Sequence, residues 1–275
     1  MRDIGFTVYN IGKGSPCIFI ITGFTKNDFC CTASLLSVID AIRDEDTRGS
    51  IKIVPIANEI LYRYGTNIDY LRGIDKAFPG KDKSIVSSIA EGIWNIARRC
   101  DYAIELRCSN NVLDHIVIPI DRMDYLSEFV SFIPIETVVM IKRLSKRLFY
   151  ELSVRNVKSL RIILRGGKEF EADDIDRIKN ITISILRNIG IIKKKSKNQS
   201  IERQFFNGYT IVRSRMSGVF MPVKNVGDFV ERDDVIGSLN NDKVVSPVKG
   251  RIIFMSRATY ATINRVLCVI ANSLQ

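Results

Sequence analysis

Apolar runs rich in β-branched residues alternate with helical patterns over the first two thirds of the chain, the signature of a sheet with helices on its faces. Residues 17–22 read as a strand, 30–42 as a helix and 51–56 as the next strand. Residues 58–80 read as a long loop closed by Phe78-Pro79-Gly80. An amphipathic helix is expected over 84–99, with Ile85, Ile89, Ile93, Trp94 and Ala97 on its apolar side. A buried strand over 102–106 then ends at Arg107. A strand at 116–120, a helix across 138–154, a strand at 160–164 and a helix across 173–188 complete this part. Asp173 and Asp174 suit the positive end of that last helix. The lysine-rich stretch 193–200 breaks the pattern, which divides the chain into an α/β domain over 1–195 and a β-rich domain over 205–275. Turn residues at Gly218, Gly227-Asp228, Gly237, Asn240-Asn241-Asp242 and 247–250 punctuate the second part into short strands.

A chain of 275 residues with 46% hydrophobic content can bury one large core, or one core and a smaller module. No apolar run reaches the roughly 20 residues that cross a bilayer, and the N-terminus lacks the apolar segment of a signal peptide, so a cytoplasmic protein without a membrane partner is expected. The six cysteines show no C-x-x-C spacing and read as buried thiols of a reducing compartment. Cys30 and Cys31 stand out as a vicinal pair at a helix start, where a thiol pKa can fall. Abundant isoleucine and only three glutamines fit a thermophile's usage.

The net charge of +11 lies mainly in the middle of the chain, where 142–200 carries 16 basic and 6 acidic groups. Lys142, Arg143, Lys146, Arg147, Arg155, Lys158, Arg161 and Arg165 face few acids, and a lysine run follows at 193–197. Such a region can attract nucleic acid, an anionic membrane or an acidic protein surface. With few aromatics for stacking and no nucleic-acid motif, it reads first as a solvated basic face.

Chemistry concentrates at Ile21-Thr22-Gly23-Phe24-Thr25-Lys26-Asn27-Asp28, where an apolar strand runs through a polar turn into a helix. With Val54-Pro55-Ile56-Ala57-Asn58, the 73–80 loop, Asp101-Tyr102-Ala103-Ile104-Glu105-Leu106-Arg107 and 160–167, it makes a series of frames whose order and spacing resemble the succinylglutamate desuccinylase/aspartoacylase family of the zinc carboxypeptidase clan. The resemblance covers nearly the whole chain and implies a mixed central sheet flanked by helices, followed by a small all-β sandwich or barrel module. Within that module, 226–230 and 245–250 look like the biotinyl/lipoyl-type barrel, but Lys243 lacks the frame of a modifiable lysine and reads as an ordinary turn residue.

The resemblance implies two histidines and a carboxylate around Zn²⁺, with a glutamate to move the proton and arginines for the substrate carboxylate. Here Thr25 and Arg107 stand at the histidine positions, Asp28 at the carboxylate, and Leu164 at or next to the glutamate, while Asp75 and Lys76 replace the asparagine and arginine of the substrate loop. A hydroxyl is a poor zinc ligand and a guanidinium is none, so zinc is expected to be lost and Arg107 to pair with Asp28 instead. His115, the single histidine, cannot supply a two-histidine site and reads as a surface or strand-edge residue.

The first functional reading is therefore a pseudoenzyme that keeps a net-positive cleft of Thr25, Lys26, Asp28, Arg63, Lys76 and Arg107 and binds an anionic small molecule or an acidic partner. A second keeps metal-dependent deacylation of N-acyl amino acids through unusual ligands, such as Asp28, Cys30 or Cys31, and Cys108. A third is nucleic-acid or ribosome association through 142–200.

Overall fold

The computed structural model describes residues 5–64, 73–142, 144–193 and 201–274. In chain order the elements are β1 (Tyr9–Gly12), β2 (Cys17–Ile21), α1 (Phe29–Ile42), β3 (Ser50–Val54), α2 (Glu59–Tyr64), α3 (Ile85–Ala97), β4 (Tyr102–Ser109) and β5 (His115–Pro119). They continue with α4 (Met123–Ser131), β6 (Thr137–Ile141), α5 (Leu148–Ser153), β7 (Lys158–Arg165) and α6 (Ala172–Ile189). The β-rich part holds β8 (Gln204–Arg213), β9 (Gly218–Pro222), β10 (Phe229–Val230), β11 (Val235–Leu239), β12 (Asp242–Val245), β13 (Gly250–Met255), β14 (Thr259–Ala261) and β15 (Val266–Ser273).

Eleven strands join one mixed sheet in the order β1-β3-β2-β4-β7-β5-β6-β8-β15-β13-β10, and β12-β11-β9-β14 form a second, antiparallel sheet. The fold is thus the mixed α/β sheet with a C-terminal β module that the pattern implies. The first strand of the β-rich part, β8, pairs in parallel with β6, so hydrogen bonding runs unbroken from one part to the other. Of the lysine run that marks the change of pattern, 194–197 lie outside the described residues.

Helices α1, α4 and α6 pack on one face of the large sheet through Leu35, Val38, Phe129, Ile178 and Ile185, with Ile104, Leu106, Ile162 and Leu164 beneath them. The other face is covered by α3 and α5, through Ile89, Ile93, Trp94, Leu148 and Leu152. The expected helix over 138–154 is instead the strand β6, a connection and the short helix α5. Thr137-Val138-Val139-Met140-Ile141 is buried at all five positions, and such a continuous apolar run carries no period to separate strand from helix. The loop expected over 58–80 contains α2, and its residues 65–72 lie outside the described ones.

Two glycines fix the ends of strands that carry the candidate site. Gly23 has φ +74°, and a Cβ there would sit 2.6 Å from Ile56 Cα, so only glycine lets the turn lie against the Pro55–Asn58 segment. Gly166, at φ +123°, would place a Cβ 2.7 Å from Cys30 Sγ.

Candidate functional site

Strand alternation decides which side chains meet at the C-terminal ends of β2, β4 and β7. Along β4, Ile104, Leu106 and Cys108 point into the core under α1 and α6, which leaves Glu105 and Arg107 on the opposite face. Leu160, Ile162 and Leu164 do the same on β7, which puts Arg161 on the face of Glu105, its partner in register. Leu164 is fully buried, in register with Cys108, and faces away from Arg107.

Asp28, 1% exposed, is the centre of this face. Its Oδ2 accepts from Thr25 N at 2.9 Å and Thr25 Oγ1 at 3.2 Å. Its Oδ1 accepts from Arg107 Nε at 3.0 Å and from Cys108 N at 3.2 Å. Four donors therefore occupy the carboxylate. The ion pair expected between Asp28 and Arg107 is present.

Arg107 does more than pair with Asp28. Its Nη1 donates to Glu105 Oε1 at 3.3 Å and lies 3.9 Å from Asp75 Oδ2, and its guanidinium stacks 5.1 Å from the Phe24 ring centroid. Burial pulls its pKa down, but Asp28, Glu105 and Asp75 more than offset this and hold it above the ordinary guanidinium value. Glu105 Oε1 also lies 2.7 Å from Arg161 Nη2, and Asp75 pairs closely with Arg147. Arg161 is largely enclosed over the Phe149 ring, and desolvation lowers its pKa. Asp28, Glu105 and Asp75 thus meet Arg107, Arg161 and Arg147 in a cluster that is electrically balanced.

That balance corrects the expected net-positive cleft. Of its six residues only Thr25, Asp28 and Arg107 come together in the cluster. Arg63 is exposed and bonded to Glu59 Oε2 at 3.1 Å, Lys76 is exposed, and Lys26 is half-buried in the turn before α1. Glu105, Arg161 and Arg147, which the sequence reading did not assign to the site, complete it. A signal existed: Glu105 and Arg161 are lone charges within apolar strands, each at a position whose neighbours face the core. Tyr62 is a further member, donating to Thr25 O at 3.0 Å, and burial raises its pKa to about 12.

The cysteines also depart from expectation. Cys17 is disulfide-bonded to Cys100 and Cys31 to Cys108, across 83 and 77 residues of sequence. Local spacing carries no trace of such pairs, which form because the sheet sets the start of β2 beside the turn before β4, and α1 packs over the end of β4. Cys31 and Cys108 are bonded to each other, so the alternative set of Asp28, Cys31 and Cys108 offers no thiolate to a metal in this form. Cys30 is a free buried thiol whose pKa rises to about 11, chiefly by desolvation, rather than falling at the helix start.

His115 is interior rather than superficial. It opens β5, which lies between β7 and β6, and is 2% exposed. Its Nδ1 lies 2.7 Å from Leu113 O, which can only accept, so Nδ1 carries the proton and Nε2 has no partner among the described residues. Burial lowers its pKa to about 4. The basic middle region is largely tied down: Arg147, Arg155, Lys158, Arg161 and Arg165 each have a carboxylate partner, and Arg143 lies outside the described residues.

The donors gathered here do not fit the zinc that the resemblance implies. Thr25 offers only a neutral hydroxyl, a poor zinc ligand, every acceptor site of Asp28 is used, and the guanidinium of Arg107 has no lone pair to give. No group of three or more histidine, cysteine, aspartate or glutamate side chains among the described residues could hold a metal ion.

No family model matches the chain, and no curated protein does. Solved structures match it end to end. An aspartoacylase family protein from Mesorhizobium loti superposes with a TM-score of 0.77 at 20% identity, over 98% of this chain and 90% of that one. A succinylglutamate desuccinylase/aspartoacylase from Rhodobacter sphaeroides gives 0.81 at 14% identity, covering 98% and 89%. The product-bound ectoine utilization protein EutE (DoeB) of Ruegeria pomeroyi gives 0.76 at 14%, covering 97% and 88%. This chain shares their fold.

Proposed function

We propose that this chain, built on the fold of the aspartoacylase and succinylglutamate desuccinylase proteins, is a catalytically degenerate member of that group that binds an anionic small molecule or an acidic partner without hydrolysing it. The observation that carries the reading is the bond from Arg107 Nε to Asp28 Oδ1 at 3.0 Å. A permanently charged guanidinium stands where the resemblance puts a zinc-binding histidine, and it is fixed by three carboxylates. An ion pair does the cross-linking that a metal would otherwise do between the turn after β2 and the end of β4. Leu164, which the resemblance puts at or next to the catalytic glutamate, contributes an apolar side chain to the core on the far face of the sheet.

No hydrolytic step is assigned, because the described residues of the cluster include no free general base near an open coordination position. The test is metal analysis by mass spectrometry of protein purified without chelators, with an assay for release of the acyl group from N-acetyl-aspartate and N-succinyl-glutamate. The expected result is no stoichiometric zinc and no turnover. Stoichiometric zinc together with turnover would overturn the reading. If turnover appears and is abolished by Asp28→Ala and Cys108→Ala, the activity runs through unusual ligands at this same place.

A further inference from the structure

The turn from β4 to β5 leaves the helix-covered layers and attaches to the β-rich part. Leu113 N donates to Ile253 O at 2.9 Å, Met255 N donates to Asn111 O at 3.3 Å, and Val112 bridges Phe254. This attachment walls one side of an open groove of about 570 Å³, lined elsewhere by the loop after β9 and by the end of β13. The volume is that of a small-molecule site.

Four cations line the cavity, Arg165, Arg177, Lys224 and Arg257, against one carboxylate, Asp114. Asp114 is already committed: Oδ1 accepts from Arg165 N at 2.7 Å, and Oδ2 pairs closely with Arg177. Arg165 Nε is bonded to Asp174 at 3.2 Å, so these two arginines are largely neutralised. Lys224 has no carboxylate partner among the described residues. Arg257 donates to a neutral amide, Asn111 Oδ1, at 3.0 Å, and its nearest acid, Glu169, is 3.9 Å away with both side chains about three quarters exposed. Two positive charges therefore remain over a wall of Leu113, Pro222, Val226 and Met255.

We infer that this groove binds a small organic anion, with its carboxylate or phosphate between Lys224 and Arg257 and its apolar body against Leu113, Val226 and Met255. The inference rests on the reading of the chain as a non-hydrolytic anion binder. It moves the anion out of the balanced cluster, where three arginines are already met by three acids, and into a cavity with cations to spare. A charged group shared between a lysine and an arginine at a half-open mouth gains charge-assisted hydrogen bonds without the full desolvation of a buried site.

The test is calorimetric titration of the full chain with phenyl phosphate and, in a parallel arm, sodium hexanoate, which separates a phosphate from a carboxylate as the preferred head group. At least one should bind saturably at one per chain, and inorganic phosphate, lacking the apolar body, at least tenfold more weakly. Lys224→Ala and Arg257→Ala should each weaken binding at least tenfold with an unchanged melting temperature. Lys243→Ala, a control on β12, should leave binding as it was. Absence of saturable binding by both probes, unchanged binding in both variants, or an equal loss in Lys243→Ala would overturn the site. Zinc in the protein or release of phenol from phenyl phosphate would instead overturn the non-hydrolytic reading and leave the location of the groove standing, so the two failures are distinguishable.

Discussion

The cluster at the strand ends and the groove use the same kinds of side chain to opposite ends. In the cluster, Arg107, Arg147 and Arg161 are enclosed and matched one for one by Asp28, Asp75 and Glu105. In the groove, two of four cations are closely matched, while Lys224 has no carboxylate partner among the described residues and Arg257 has only an exposed one at 3.9 Å. Burial forces the difference: an unpaired charge in the interior is too costly to keep, while one at a cavity mouth is solvated and free to exchange its water for a ligand. A count of arginines thus locates no binding site until their acids are placed.

The largest expected effect comes from breaking the matched pairs. Arg107→Ala leaves Asp28 buried without its cation and Glu105 with Arg161 alone, and should cost about 3–5 kcal/mol in urea unfolding. The double variant Arg107→Met with Asp28→Asn should recover much of that loss, because it removes the charges together. A double variant as unstable as the single one would show that the cluster is held by packing rather than by charge balance.

A second effect is read through pH, on the same face of the sheet. The folded pKa of His115, about 4, lies below its ordinary value near 6.5, so the unfolded chain binds the proton more readily. Stability contributed by the neutral ring is complete above pH 6.5, falls as pH drops towards 4, and falls no further below it. The difference of about 2.5 units corresponds to about 3 kcal/mol. His115→Asn, whose amide can replace the Nδ1 bond to Leu113 O, should lose that component of the pH dependence when unfolding is followed from pH 7 to 4.

The smallest effects belong to the exposed cations that the sequence grouped with the cluster. Arg63→Ala and Lys76→Ala should each change stability by no more than about 0.5 kcal/mol. Larger losses would mean that the balanced cluster extends beyond the six groups identified.

The alternation of strands and helices in the first two thirds was legible because apolar periods differ between the two element types, and the frames at 23–28, 54–58 and 101–107 positioned the site. The Asp28–Arg107 bond was legible too, since a carboxylate and a guanidinium facing one buried point have little alternative but to pair. The rest depended on register. Glu105 meets Arg161 only because β4 and β7 align residue for residue, and parallel strands separated by some fifty positions leave no local mark of that alignment. The disulfides were hidden for the same reason, and β6 was hidden by the uniformity of its apolar run. The groove needed the turn at 111–114 to attach to β13, a contact across more than a hundred residues.

The direction in which Leu164 points decides which positions of β7 can serve the cluster at all. A glutamate introduced at this position would enter the apolar layer between β7 and the helices α1 and α6, out of reach of Arg107 on the other side of the sheet. Turning it over would take a one-residue slip of β7, which would carry Arg161 away from Glu105 and reverse every other side chain of the strand. Parity along a single β-strand thus bars position 164 from the cluster, whereas its neighbour Ile163, in register with Arg107, shares the face on which the charges meet.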